Sequence, residues 1–323
     1  MNAVLESMPV LVLYPHNRCN CRCVMCDIWK IDTAEEIGAD EILRHMNDLK
    51  KLRVEWVVFS GGEPLMHSDL FRLAALLREN RIRTTLLSTG LLLKRYSNRV
   101  VETIDDVIVS LDGPADAHDA IRRVPGAFRM LREGVQALHG IDPSYAVAAR
   151  CTVQRGNFTR LRETTRTARE IGLRSISFLA ADLTSTAFNR PLAWPVERQA
   201  TVGLDIAEVE TLAAEIDALI KEEGASGFVA ESPQKLRRIV RHFRAHLGME
   251  EPEAPRCNAP WVSAVLETDG SVRPCFFHES IGNAREESLA AVINGPRAIR
   301  FRETLKVAEN PICRRCVCSL YRT

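Results

Sequence analysis

Ten cysteines stand in this chain of 323 residues, and seven of them fall into two sets whose spacing suits metal chemistry. The first set is Cys19, Cys23 and Cys26, a C-x3-C-x2-C triplet directly after the apolar run Val10-Leu11-Val12-Leu13-Tyr14. Three thiolates on one tight loop suit a metal centre better than a disulfide. A [4Fe–4S] cubane takes one thiolate per iron, so three cysteines leave one iron open to a small ligand. A closed zinc site would want a fourth protein ligand nearby. The second set is Cys257, Cys275, Cys313 and Cys316, four thiolates from three chain segments. Zinc would accept that set too, although its usual pattern pairs cysteines at both ends, and here the first pair is split by 17 residues. Cys21, Cys151 and Cys318 are left over. Cys21 is expected to point away from a cluster, as free cysteine often serves only as a small buried residue.

Such residues need a frame to hold them. Apolar strand-like runs at 10–14, 55–59, 84–87, 107–109, 145–153 and 175–179 alternate with helical stripes at 40–53, 68–80, 94–103, 127–139 and 158–171, with Asp40 placed to cap the first of these. This alternation argues for a parallel sheet, open or barrelled, with ligands gathered at the C-terminal ends of its strands. The strand ends carry Ser60-Gly61-Gly62-Glu63-Pro64, Ser88-Thr89-Gly90 and Ser110-Leu111-Asp112-Gly113. Paired glycines let backbone approach a ligand closely, and a glutamate accepts from an ammonium. Hydroxyls and a carboxylate can bind a ribose or a carboxylate, and the same residues also make ordinary turns. Arg150 interrupts the apolar fifth strand and needs an anionic partner if it points inward, in which case Cys151 faces the helices. The beat breaks at about 181–205, a lid-like stretch in which Arg190 and Trp194 are candidate substrate contacts. Helices at 206–222 and 233–247 follow, then a linker at 250–255. Beyond it come a hairpin turning at 268–271 and a helix at 289–306.

The triplet resembles the signature of radical S-adenosylmethionine (SAM) enzymes. The family's aromatic residue before the third cysteine is replaced here by Met25, polarizable enough to lie against the adenine. Gly61-Gly62-Glu63-Pro64, about 35 residues on, matches the family's GGEP motif. The resemblance implies that Gly61, Gly62, Glu63 and Pro64 hold the SAM amino group, and that Ser88, Ser110, Asp112 and Arg150 contribute to binding the rest of it. The order C-x12-G-x4-C followed by C-x2-C resembles the start of the family's SPASM extension, and more closely its shortened "twitch" form with one auxiliary [4Fe–4S] cluster. The implied fold is α/β: a partial (β/α)6 TIM-type barrel over residues 1–248 and a small hairpin-and-helix twitch subdomain over 249–323. The implied cofactors are SAM and two [4Fe–4S] clusters, and the implied electron source is a flavodoxin- or ferredoxin-type reductant.

Composition narrows the rest. With 43 basic and 42 acidic residues the formal net charge is +1, so no global field draws nucleic acid or an acidic membrane. No apolar run approaches the ~18–20 residues of a membrane span, and the first residues lack a signal-peptide core. A cytoplasmic protein is expected, whose cysteines are metal-binding or catalytic rather than disulfide-bonded.

By resemblance the chemistry begins with a 5′-deoxyadenosyl radical that abstracts hydrogen from a substrate carbon. If that carbon bears a hydroxyl, a nearby auxiliary cluster can take the remaining electron to leave a ketone, as in the twitch-containing dehydrogenases of aminocyclitol antibiotic biosynthesis. Alternatively a thiol, with Cys318 as the candidate, returns hydrogen to the opposite face and inverts the centre. The first strand begins within about ten residues of Met1, which leaves no room for a leader-binding domain and favours a hydroxylated, sugar-like small molecule over a ribosomal peptide. Maturation of such a peptide is the first alternative, and a non-catalytic iron–sulfur protein the second.

Overall fold

The computed structural model describes residues 2–31, 33, 35–188, 190, 192–224 and 226–322. Its strands are short β-branched runs that alternate between full and partial burial: Val107 and Val109 are buried while Ile108 and Ser110 are half-buried, and Val147, Ala149, Cys151 and Val153 are buried around half-buried Ala148 and Thr152. The fully buried face packs on helices. The other face is left to line the concave interior.

Six strands run parallel in sequence order: β1 (Val10–Leu13), β2 (Trp56–Phe59), β3 (Arg83–Ser88), β4 (Asp106–Ser110), β5 (Val147–Val153) and β6 (Ile176–Ala180). Each neighbouring pair is joined by a crossover containing a helix, the geometry parallel pairing demands. At the first edge β7 (Ser263–Leu266) pairs parallel with β1, Val10 opposite Ser263 and Leu13 opposite Leu266. Then β8 (Ser271–Arg273) and β9 (Gly282–Asn283) turn back antiparallel. The C-terminal hairpin therefore continues the barrel sheet beside the strand that launches the cysteine loop. At the far edge Val229 bridges in parallel to Ile176.

Several elements differ from expectation. The helix expected at 40–53 is two, Ala39–Arg44 and Met46–Lys51, broken at His45; its N-cap is Gly38, and Asp40 lies in the first turn, where its charge suits the helix dipole. The helix expected at 289–306 is also two, Leu289–Ile293 and Pro296–Thr304, because Pro296 cannot donate into a preceding turn and starts a new helix at its first position. Helix Ala115–Arg122 was not anticipated. A short helix, Val196–Val202, lies inside the lid-like stretch. All ten cysteines are free, and among the described residues no helix is long and apolar enough to cross a membrane.

Candidate active site

The cysteine loop is held by backbone rather than by its own side chains. Arg22 N donates to Arg122 O at 3.2 Å and Val24 N to Ile121 O at 3.0 Å, so the loop lies along the end of helix Ala115–Arg122. On its other side Gly62 N donates to His16 O (3.3 Å) and Glu63 N to Arg18 O (2.8 Å), and His16 Nε2 bonds Glu63 O at 2.9 Å. This close approach explains the paired glycines. Gly61 has φ +98°, and a β-carbon there would meet His16 O at 2.8 Å, while one at Gly62 would collide with the Arg18 carbonyl. The glycine motif and the cysteine loop are thus one interlocked unit.

Glu63 is fully buried and its carboxylate is already committed. It accepts from Ser88 Oγ at 3.0 and 3.1 Å, Thr89 N at 2.6 Å, Thr89 Oγ1 at 2.6 Å and Leu65 N at 3.1 Å. Burial pushes this carboxyl up and those donors oppose the rise. Glu63 thereby ties the end of β2 to the end of β3. Ser88, only 3% exposed, is spent on the same bond and on Gly90 N, and Pro64 is buried as the first residue of a 3-10 turn. Thr89 Oγ1, also bonded to Asn20 Oδ1 at 3.0 Å, carries this network back into the cysteine loop. Gly62 N is taken by His16 O, and among the described residues no hydrogen bond uses the carbonyls of Gly61 and Gly62, the acceptors an ammonium would need.

Asp112 likewise turns away from ligand duty. It is fully buried, 2.6 Å from Arg122 Nη2, and accepts from Thr152 N at 3.1 Å. Arg122, 6% exposed, points its other terminal nitrogen at Cys23 Sγ, 3.5 Å away. Cys21 is fully buried, with Cys23 as its electrostatic neighbour. The Cys21 thiol and the Arg122 charge lower the Cys23 thiol against the cost of burial. Burial pushes the Cys19 and Cys26 thiols up to about 12, so ligation there must displace protons.

Ser110 and Arg150 fare differently. Ser110 stands opposite Arg150 across β4 and β5, and Arg150 opposite Ser177 on β6, so the three form one layer on the concave face. Arg150 is exposed and makes a single long bond, 3.4 Å to Ser177 Oγ. Cys151, its neighbour, is fully buried on the helix side.

The stretch at 181–203 is a strap across the cysteine loop. Arg190 is 3% exposed, pairs with Asp182 at 2.6 Å, stacks on Trp194 and donates to Met25 O at 3.4 Å. Trp194 is 5% exposed and donates to Asp27 Oδ2 at 2.5 Å; Arg198 donates to Val24 O. Arg190 and Trp194 therefore anchor the strap to residues 24–27 and have no free surface for a substrate. Met25 is half-buried beneath it.

The second cysteine set is assembled from further apart. Asn258 N donates to Leu320 O at 2.8 Å and Asn258 Nδ2 to Arg322 O at 2.6 Å, which pins the C-terminal tail beside Cys257. Cys275 lies within electrostatic reach of Cys313 and Cys257, and Cys316 within reach of Cys275. His278 Nε2 lies 3.3 Å from Cys313 Sγ, and Arg238 donates to Cys316 O. Among the described residues no three His, Cys, Asp or Glu side chains converge tightly enough for one ion. A cubane instead spreads its ligands over four corners, one thiolate to each iron. Between the sets lies an aromatic wall: Tyr14 at 5.6 Å from Phe276, which follows Cys275, and Phe188 of the strap stacked on Phe276 at 6.5 Å. Cys318 is half-buried near Arg150, Asp182, Arg238 and Cys257, and its partial burial raises the thiol.

Residues 13–181 match the radical SAM superfamily and residues 257–317 the SPASM iron–sulfur cluster-binding domain. An Fe-coproporphyrin III synthase of Methanosarcina barkeri is 31% identical over 156 residues, 47% of this chain and 39% of that protein. The antilisterial bacteriocin subtilosin biosynthesis protein AlbA of Bacillus subtilis is 23% identical over 292 residues, 87% of this chain and 58% of that one. Each match spans less than two thirds of the relative's length. In fold, Streptococcus suis SuiB bound to its precursor peptide SuiA superposes with a TM-score of 0.68 at 16% identity, covering 98% of this chain and 73% of SuiB.

Proposed function

The chain belongs to the radical SAM superfamily and carries a C-terminal SPASM domain, and from that premise we propose that it oxidises or inverts a hydroxyl-bearing carbon of a sugar-like small molecule. The two domains imply SAM and [4Fe–4S] clusters as cofactors. Cys19, Cys23 and Cys26 would hold the cluster that binds SAM, and Cys257, Cys275, Cys313 and Cys316 one fully ligated auxiliary cluster. Together these groups supply a carbon-centred radical for hydrogen abstraction and a nearby electron acceptor.

The residues of this chain have separable tasks in that reading. Gly61 and Gly62 offer bare backbone to the SAM amino group. Glu63, Ser88 and Thr89 hold that backbone in place. Arg150 and Ser110 face the cavity with unspent hydrogen-bonding capacity and suit the SAM carboxylate. Met25, held by the strap, suits the adenine. The observation that carries the reading is the contact between Tyr14, which ends the apolar run before the first cysteine loop, and Phe276, which follows Cys275, their rings 5.6 Å apart: the two cysteine regions meet across one aromatic pair. Cys318 is the thiol available to return hydrogen if the outcome is inversion.

The test is anaerobic reconstitution, with iron, sulfide and Mössbauer spectra of the wild type beside the Cys19/Cys23/Cys26 triple alanine variant. Two clusters require about eight irons falling to about four. Four falling to none, with zinc present, would make the C-terminal site structural and end the oxidation reading. A second reading, maturation of a ribosomal peptide, draws on the similarity to AlbA across 87% of the chain. Deuterium transferred into 5′-deoxyadenosine from a labelled polyol, and not from a labelled peptide, separates the two.

A further inference from the structure

Side chains reach the sulfurs of the two cysteine sets differently. In the first set a cation does so, Arg122 Nη1 standing 3.5 Å from Cys23 Sγ. In the second it is an imidazole: His278 Nε2 lies 3.3 Å from Cys313 Sγ, and among the described residues no other side chain hydrogen-bonds a sulfur of that set. His278 is 5% exposed, while Cys313 is half-exposed. The His278 ring packs edge-on against Phe301 of helix Pro296–Thr304, centroids 4.9 Å apart and planes at 68°. Its carbonyl accepts from Arg273 Nη1 at 3.1 Å, and Arg273, which ends β8, is held in turn by Glu267 at 2.8 Å. Helix and hairpin thus fix the ring and the backbone of His278 from two sides, with Nε2 aimed at Cys313. A cysteine that has given up its proton to bind iron can only accept, so this contact places the imidazole proton on Nε2.

We propose that His278 is a positioning residue for the auxiliary cluster, donating Nε2–H to Cys313 Sγ and thereby raising the potential at which that cluster takes up an electron. The inference rests on the reading that Cys257, Cys275, Cys313 and Cys316 hold a [4Fe–4S] cluster. Their four thiolates fill the four corners of a cubane, which leaves the imidazole as a donor to sulfur and not as a ligand. Reduction adds one electron and no proton to the cluster. The added negative charge is shared with the cysteine sulfurs, and an N–H aimed at one of them stabilises the reduced state over the oxidised one. A rigid donor from the protein does this at a site whose thiols are otherwise open to water.

The experiment is an EPR-monitored redox titration of the anaerobically reconstituted holoenzyme as wild type, His278→Phe and His278→Gln, following the signal that added SAM leaves unshifted. Phe keeps a ring against Phe301 and removes the donor; Gln returns an N–H near the place of Nε2. The expected result is that His278→Phe keeps its iron but is about tenfold harder to reduce at a given potential, about 59 mV lower for one electron, and that Gln recovers most of the shift. Full iron with the wild-type potential in His278→Phe overturns the proposal. Loss of the cluster in both variants overturns it in favour of ligation. Wild type labelled with ¹⁵N-histidine gives a reading that needs no variant to fold: in pulsed EPR a weak nitrogen coupling supports the hydrogen bond, and the large coupling of a direct ligand, or none, overturns it. About four irons in the wild type instead of about eight would refute the cluster reading and the proposal together, whereas an unmoved potential at about eight irons refutes His278 alone.

Discussion

The two cysteine regions solve the same problem by opposite means. The N-terminal loop draws its thiols from one short stretch and backs them with buried polar groups: Cys23 is 5% exposed and Cys19 and Cys26 are half-buried, in front of Glu63, Asp112 and Arg122 at 0%, 0% and 6%. The C-terminal set takes thiols from three segments and leaves Cys257, Cys275, Cys313 and Cys316 half-exposed, held by a pinned tail and by the half-buried Arg238. Buried polar support is costly to disturb because nothing replaces a lost partner, whereas water can repair a surface site. The first region should therefore be brittle and the second forgiving.

The largest test of that contrast is removal of ligands. Alanine at Cys19, Cys23 and Cys26 should abolish SAM cleavage, whereas alanine at Cys313 and Cys316 should spare much of it and stop product formation; normal turnover in the latter variant would end the electron-acceptor role. Supporting arginines come next. Arg122→Met leaves Asp112 buried without its cation and should cost about 3–5 kcal/mol in chemical denaturation. Arg238→Met, which frees only a carbonyl, should cost about 1 kcal/mol; equal losses would erase the distinction. Glycines give a third comparison. Gly62→Ala drives a methyl into the Arg18 carbonyl and should cost about 3 kcal/mol or more together with cluster occupancy. Gly270→Ala, at φ +83° against the movable side chains of Asn283 and Arg285, should cost about 1–2 kcal/mol with iron content kept.

Acid provides the mildest probe. His118, which accepts from Asp112 N at 3.3 Å, is held down to about 3 by burial and then by the Arg122 charge, against an ordinary value of 6.5. The unfolded chain takes up this proton below pH 6.5 and the folded chain does not, so stability falls as pH drops from about 6.5 toward 3. At pH 5 the loss from this group is about 2 kcal/mol. His118→Gln should flatten that part of the stability profile, and an unchanged slope would place the acid sensitivity elsewhere.

Much of this was open to inspection in the chain itself. The strand-and-helix alternation, the triplet, the double glycine and the four later cysteines are local patterns, and local patterns survive without coordinates. The side chains assigned to SAM or substrate by position fared unevenly, because position on a strand end does not reveal what else competes for a polar atom. Glu63, Ser88, Asp112, Arg190 and Trp194 all stand near the cavity, and all are consumed by neighbours distant in sequence. Arg122, Thr89, Asn20 and Phe276 carry no sequence signal, since an arginine at a helix end or a threonine after a strand is ordinary. Their roles follow only from what the fold sets beside them.

The sequence by itself determined the superfamily chemistry, because cluster ligation by contiguous cysteines and close backbone approach at Gly61 and Gly62 are requirements on residue type and spacing. Only the tertiary structure decided which groups remain free to act. Burial leaves no water to satisfy a polar atom, so each must find a protein partner. The fold thereby turned Glu63 and Asp112 into struts and left Arg150 and Ser110 facing the cavity.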